Sequence, residues 1–95
     1  MFDKAKTLYE LKKIQSALAK ETIEVEAGGG AVTVTINGEQ KIKSIKIDPE
    51  LVDLNEIHKL EKWIESAVTQ AITRSQQLAA EKMKSVAGGL GLPGL

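Results

Sequence analysis

The most constraining feature of the sequence is a glycine triplet that lies between two stretches of alternating apolar and polar residues. Residues 22–26 precede Gly28-Gly29-Gly30, residues 31–37 follow it, and the second stretch ends at Asn37-Gly38. Such alternation predicts strands with one buried side and one side in water. Because the triplet leads into a strand and no Gly-Lys-Ser/Thr follows it, we interpret it as a flexible or sharply bent strand connection rather than a phosphate-binding loop.

Three antiparallel strands are expected, at about residues 22–26, 31–37 and 40–47. Asn37-Gly38 predicts a type I′ hairpin between the second and third strands, since both residues tolerate positive φ. In the third strand Ile42 is out of phase with Ile45 and Ile47, which predicts a β-bulge between Lys43 and Ile45. Asp48-Pro49 then ends the strand, because proline cannot donate a ladder hydrogen bond.

Two helices flank these strands. Residues 3–20 contain neither Gly nor Pro, and a narrow apolar stripe suited to contact with another helix is formed by Leu8, Leu11, Ile14 and Leu18. The second helix is predicted from a capping box at Asp53 and Glu56 to about Val86, with Gly88 closing it in the left-handed conformation. A helix of that length spans about 45–50 Å. It would extend well past strands of about 17–20 Å, so we expect a second copy to cover the overhang in a homodimer.

Composition indicates one domain without disulfides, thiol catalysis or cysteine-ligated metals. The chain has 95 residues, no cysteine, and 13 basic against 13 acidic residues. Residues 1–20 carry a net charge of +3, which suits a polyanion, although a lysine-rich face in water is the simpler interpretation. No stretch has the pattern of a signal peptide or the roughly 18–20 apolar residues of a membrane span, so we expect a cytoplasmic protein without a membrane partner.

Few side chains suit catalysis or metal binding. His58 is the only histidine, so we interpret it as a surface or interface residue rather than a metal ligand. The glutamates near it are expected to pair with neighbouring lysines. No convergent reactive set is present, so we expect no enzyme activity, no cofactor and no small-molecule substrate. Trp63 is expected to pack at a helix–sheet or dimer contact, whereas Tyr9 lies among lysines where it could contact a nucleic acid.

The whole chain resembles the YbaB/EbfC family of bacterial nucleoid-associated proteins. The motifs that carry the resemblance include Gly28-Gly29-Gly30-Ala31-Val32, Ile36-Asn37-Gly38, residues 45–51, residues 79–83 and Gly88-Gly89-Leu90-Gly91-Leu92-Pro93-Gly94. The resemblance implies an α+β fold of order α-β-β-β-α, with a three-stranded antiparallel sheet, a long C-terminal helix and a tweezer-like homodimer. We expect a YbaB/EbfC-like DNA-binding domain at residues 1–87 and a flexible Gly/Leu-rich tail at residues 88–95.

The resemblance also implies DNA binding through the helices and association with the nucleoid. The basic residues predicted to contact phosphates are Lys4, Lys6, Lys12, Lys13, Arg74, Lys82 and Lys84. Their role would be electrostatic, so the affinity for DNA should fall steeply with salt. The alternative, favoured by zero net charge, is a protein–protein interaction module whose contact with DNA is incidental.

Overall fold

The fold has the order α-β-β-β-α that the sequence predicts. A computed structural model describes residues 4–89, and side chains for residues 5–85. Its elements are helix α1 (Lys4–Lys20), strands β1 (Thr22–Ala27), β2 (Val32–Asn37) and β3 (Ile42–Ile47), and helix α2 (Ile57–Gly89). Two short 3₁₀ turns, Pro49–Leu51 and Leu54–Glu56, join β3 to α2.

The three strands form one antiparallel sheet in the order β1-β2-β3. Val34 at the centre pairs with Val25 on one side and with Ile45 on the other. The pairing of β2 with β3 shifts in register at Lys43, which has no partner, and this confirms the predicted bulge one residue earlier than expected. The bulge brings Ile42 opposite Ile36 and so onto the same face as Ile45 and Ile47.

The core lies between this sheet and α2. The side chains with no solvent exposure at all include Val32, Val34 and Ile36 of β2 and Ala67 and Ala71 of α2. The two alanines are one helical turn apart, and their short side chains allow the helix to approach the sheet closely. Helix α2 packs on β1 and β2. The core-side face of β3 is therefore left largely uncovered.

The glycine triplet forms the tight connection between β1 and β2. All three residues have positive φ, of 66°, 66° and 98°, a conformation that favours glycine. The indole ring of Trp63 lies against Gly28 so closely that an added Cβ would come within 2.4 Å of it. The sharp bend is confirmed, and so is the expected packing of Trp63 at a helix–sheet contact.

The hairpin between β2 and β3 is not the predicted type I′ turn. Positive φ falls on Gln40, at 64°, whose N–H donates to the carbonyl of Asn37 at 3.2 Å, as in a three-residue loop ending in a left-handed residue. Gly38 is needed instead for close packing, since an added Cβ would lie 2.7 Å from a methyl carbon of Leu18. The contact with α1, rather than local turn preference, accounts for the glycine.

A buried polar cluster joins the hairpin to both helices. The Asn37 amide donates to the carbonyl of Ala19 at 3.2 Å, which holds the last turn of α1. The Ser75 hydroxyl donates to the carbonyl of Asn37 at 2.7 Å and accepts from the N–H of Gln40 at 3.0 Å. Asn37 and Ser75 are 1% and 0% exposed. The cluster therefore fixes the end of α1 and the Ser75 region of α2 relative to the sheet.

Helix α2 begins and ends slightly later than predicted. The Asp53 carboxylate accepts from the N–H of Asn55 at 2.9 Å, so it caps the 3₁₀ turn that leads into α2 rather than α2 itself. At the other end the helix runs to Gly89, so Gly88 lies inside it and the prediction that Gly88 closes the helix was wrong. Glycine adopts helical φ as readily as left-handed φ. The predicted tail from Leu90 onward lies outside the described residues.

Candidate nucleic-acid interface

Helix α1 has one face toward the protein and one toward solvent. Leu18 is buried, and Leu11 and Ile14 are half-buried on the side of α1 that packs against α2 and β2. Leu8, at 58% exposure, does not continue this seam. A turn of 100° per residue places a second set of residues on the opposite side of the helix.

That second face of α1 forms an open groove of about 570 Å³. The groove is lined by Tyr9, Lys12, Lys13, Ser16, Ala17 and Lys20. These positions follow one another at the helical spacings of three and four residues, so they share one face. Along the helix, the short residues Ser16 and Ala17 lie between Lys12-Lys13 and Lys20.

The predicted residues of α1 therefore fall partly within this groove. Lys12 and Lys13 line it, and both are exposed. Lys6 is exposed on the same helix, whereas only the backbone of Lys4 is described. Lys20 lines the groove but was not among the predicted residues. Its position seven residues after Lys13 and eight after Lys12 is the signal that could have identified it.

The predicted basic residues of α2 do not join this face. Arg74 and Lys84 are exposed, and ten residues of helix separate them by about 15 Å along the axis. Lys82 is half-buried, and its Nζ lies 3.1 Å from the Glu21 carboxylate, at the junction of α1 and β1. This ion pair gives Lys82 a structural contact between α2 and the junction of α1 with β1.

The lysines of the groove carry uncompensated charge. Among residues 4–89 the ion pairs are Lys82–Glu21, Lys59–Glu56 at 3.0 Å and His58–Glu61 at 3.5 Å, and none of them uses a groove lysine. Because Lys12, Lys13 and Lys20 have no carboxylate within ion-pair distance in the described chain, their ammonium groups are available to an external anion.

Comparison with known proteins identifies the family. The sequence profile of the YbaB/EbfC DNA-binding family matches residues 1–90. The chain belongs to the YbaB/EbfC family. A nucleoid-associated protein of Syntrophobacter fumaroxidans is 42% identical over 86 residues, which cover 90% of this chain and 78% of the relative. A nucleoid-associated protein of Roseiflexus castenholzii is 46% identical over 85 residues, covering 90% and 84%.

The fold of this YbaB/EbfC chain also has a counterpart among solved structures. An uncharacterized protein from Helicobacter pylori superposes with a TM-score of 0.65 at 20% sequence identity, covering 90% of this chain and 95% of the other. At that identity the likeness concerns the fold alone. The family itself is one of DNA-binding proteins, and its name specifies no reaction.

A second surface of the YbaB/EbfC chain is apolar. It begins on the core-side face of β3 and continues through the 3₁₀ turns to the first residue of α2. We call it the β3 apolar surface, and it consists of Ile42, Ile45, Ile47, Leu51, Leu54 and Ile57. The exposure of these six side chains ranges from 42% to 81%. A group of large exposed apolar side chains is typical of an interaction site.

Other kinds of site receive little support from the described residues. His58 is exposed and contacts only the carboxylate of Glu61 among the ion pairs found, in agreement with a surface position. No group of three His, Cys, Asp or Glu side chains in residues 4–89 is arranged to share a metal ion. None of the helices in this part of the chain is long and apolar enough to cross a membrane.

Proposed function

We propose that this chain is a homodimeric nucleoid-associated protein that binds DNA phosphates through basic residues of its helices. The observation that carries the proposal is the row of uncompensated lysines on the solvent face of α1. Lysine ammonium groups attract phosphates electrostatically and without reading bases. The family match, and the naming of its relatives as nucleoid-associated proteins, support DNA as the ligand and the nucleoid as the place of action.

The basic residues would contribute unequally. Lys12 and Lys13 have the strongest support because they share the groove face of α1. Lys4 and Lys6 would extend the contact toward the start of the helix, and Arg74 and Lys84 would add charge from α2. Lys82 would contribute least, since Glu21 already neutralises its charge.

We assign the homodimer interface to the β3 apolar surface, against which a second copy of the chain would pack. A chain of 95 residues buries only about 60–65% of its unfolded surface, so covering six further apolar side chains would add substantially to its stability. The Ile42 end of the surface lies beside the hairpin that packs against the end of α1, whereas the groove lies on the opposite face of α1. Two copies joined there would leave both pairs of helices projecting outward, which is the tweezer arrangement.

The experiment that tests this function is a DNA titration with the full chain at low and high salt. A labelled mixed-sequence duplex should be bound at low salt, and the affinity should fall steeply as salt rises because phosphate contacts release counterions. Light scattering on the same sample should give the mass of two chains. Absence of binding at low salt would contradict the DNA proposal, and a single-chain mass at micromolar concentration would contradict the dimer.

A second candidate, a protein-interaction module, is favoured by the same β3 apolar surface and by zero net charge. In that case the surface would bind a different protein, and contact with DNA would be incidental. A pull-down with and without nuclease separates the two functions. A partner that is retained after nuclease treatment by the parent but lost by an Ile45→Lys variant would support the module.

A further inference from the structure

We propose that one sugar–phosphate strand of duplex DNA lies within the groove of α1, along the helix axis, with Ser16 and Ala17 beneath it. This inference rests on the proposed function, because it specifies how DNA would be held. It goes further in assigning roles to Tyr9, Ser16, Ala17 and Lys20. It also predicts that the affinity for DNA depends on the shape of the groove as well as on its charge.

The distribution of charge along the groove fits an extended anion. Lys12 and Lys13 lie toward one end and Lys20 lies at the other, about 11–12 Å away along the helix. One DNA strand carries one negative charge per nucleotide, so a groove of this length can contact more than one phosphate of the same strand. A single small anion could contact only one end of the groove.

The short residues between the lysines allow close approach of a strand. Ser16 and Ala17 are exposed, line the groove, and lie along the helix between Lys12-Lys13 and Lys20, where a longer side chain would take up space in the groove. The Ser16 hydroxyl can donate a hydrogen bond to a phosphate oxygen. Alanine adds no atoms beyond Cβ, so the backbone of the strand could contact the surface of the helix directly.

Tyr9 defines the end of the groove nearer the start of α1. Its side chain is 64% exposed, and it lies one helical turn before Lys12 and Lys13. A phenol at this position offers a flat apolar surface for a deoxyribose and a hydroxyl for a phosphate. Neither contact reads base identity, so the groove should bind duplexes of different sequence with similar affinity.

The test is a substitution that fills the groove without changing charge. Ala17→Leu adds three carbon atoms at an exposed helical position and keeps a high helix propensity. Gln15→Leu is the matched control, because Gln15 is exposed on α1 but does not line the groove. We expect Ala17→Leu to weaken binding of the labelled duplex about fivefold to tenfold through the loss of close phosphate contact, and Gln15→Leu to leave it within about twofold.

Lys20→Gln provides an independent readout. It should reduce the magnitude of the slope of log affinity against log salt concentration by about 1, as expected for the loss of one phosphate contact. Circular dichroism melting curves of all variants establish that the fold is retained. If Ala17→Leu and Lys20→Gln bind like the parent while Lys12→Glu/Lys13→Glu does not, the groove inference is overturned and the proposed function stands. If the parent itself fails to bind at low salt, both are overturned.

Discussion

The two strands β2 and β3 present the same kind of side chain to the same face of the sheet, yet only one of them is covered. Ile36 of β2 is 0% exposed, while its cross-strand partner Ile42 is 42% exposed. The pairs formed by Val34 with Ile45 and by Val32 with Ile47 differ in the same way. The difference arises from α2, which packs on β1 and β2.

This comparison teaches that apolar alternation alone does not identify what covers a strand. In β2 the apolar side chains pack in the core with the two buried alanines of α2. In β3 the three isoleucines on this face keep 42–45% of their surface exposed, and the exposed apolar side chains continue into the connection to α2. We attribute the first pattern to folding of the chain and propose that the second serves association with another copy.

The largest effect is expected from a matched pair of substitutions, one in β2 and one in β3. Ile36→Ala leaves a cavity in the core and should lower the free energy of unfolding by about 2–5 kcal/mol at every protein concentration. Ile42→Ala removes the same atoms from the uncovered strand, so its cost should depend on protein concentration through dimerisation. Urea denaturation at two protein concentrations measures both. A concentration-independent loss of the same size in both variants would contradict the distinction.

A charge on the uncovered face should separate the copies. Ile45→Lys would place an ammonium group within the β3 apolar surface, and we expect the dimer dissociation constant to rise by about 100-fold or more, or about 2.7 kcal/mol, since an unpaired charge would be buried. Thr33→Lys is the control on the opposite face of the same sheet. Sedimentation should show dissociation for the first variant only. A fully dimeric Ile45→Lys would exclude this surface as the interface.

A smaller effect is expected at the covered end of the sheet, where Gly28 and Gly29 have the same φ of 66°. An alanine at either position should cost about 1–3 kcal/mol for the left-handed backbone. Only Gly28→Ala must also displace the Trp63 ring, since nothing lies within 4 Å of an added Cβ at Gly29. Thermal melts followed by tryptophan fluorescence should show the greater loss, and a shifted spectrum, for Gly28→Ala. Equal losses in the two variants would refute the close packing of the ring.

The smallest effect should come from the ion pair between Lys82 of α2 and Glu21 at the junction of α1 with β1. Lys82→Ala should lower the free energy of unfolding by less than about 1 kcal/mol, because both side chains of the Lys82–Glu21 pair are about 40% exposed. Its effect on DNA affinity should be smaller than that of a groove lysine. A Lys82→Ala variant that loses as much DNA affinity as Lys20→Gln would place Lys82 in the interface after all.

Much of this architecture could be predicted from the sequence, because the relevant signals are local. Alternation defined the strands, the phase error at Ile42 indicated the bulge, and the absence of Gly and Pro defined both helices. The hairpin type was not predictable in this way. Gly38 is required by the packing of Leu18, and the left-handed residue is Gln40, so the turn depends on a contact between distant parts of the chain.

The site was predicted less completely, for a similar reason. Lys12 and Lys13 were found from local charge, but the contribution of Lys20 appears only when the helix is viewed along one face. Lys82 was included on charge alone, although the approach of α2 to the start of β1 pairs it with Glu21. Counting charges could not show which of them remain available to a ligand.

The most direct test of the central claim compares the salt dependence of DNA binding for two double variants with the same change in charge. Lys12→Glu/Lys13→Glu alters the groove, whereas Lys59→Glu/Lys62→Glu alters exposed lysines in the first part of α2. We predict that the first variant loses most of its affinity for DNA at low salt. The magnitude of its slope of log affinity against log salt should fall by about 2, while both quantities should change far less in the second variant. Equal loss in both variants, or none in the first, would contradict the assignment of DNA contact to α1.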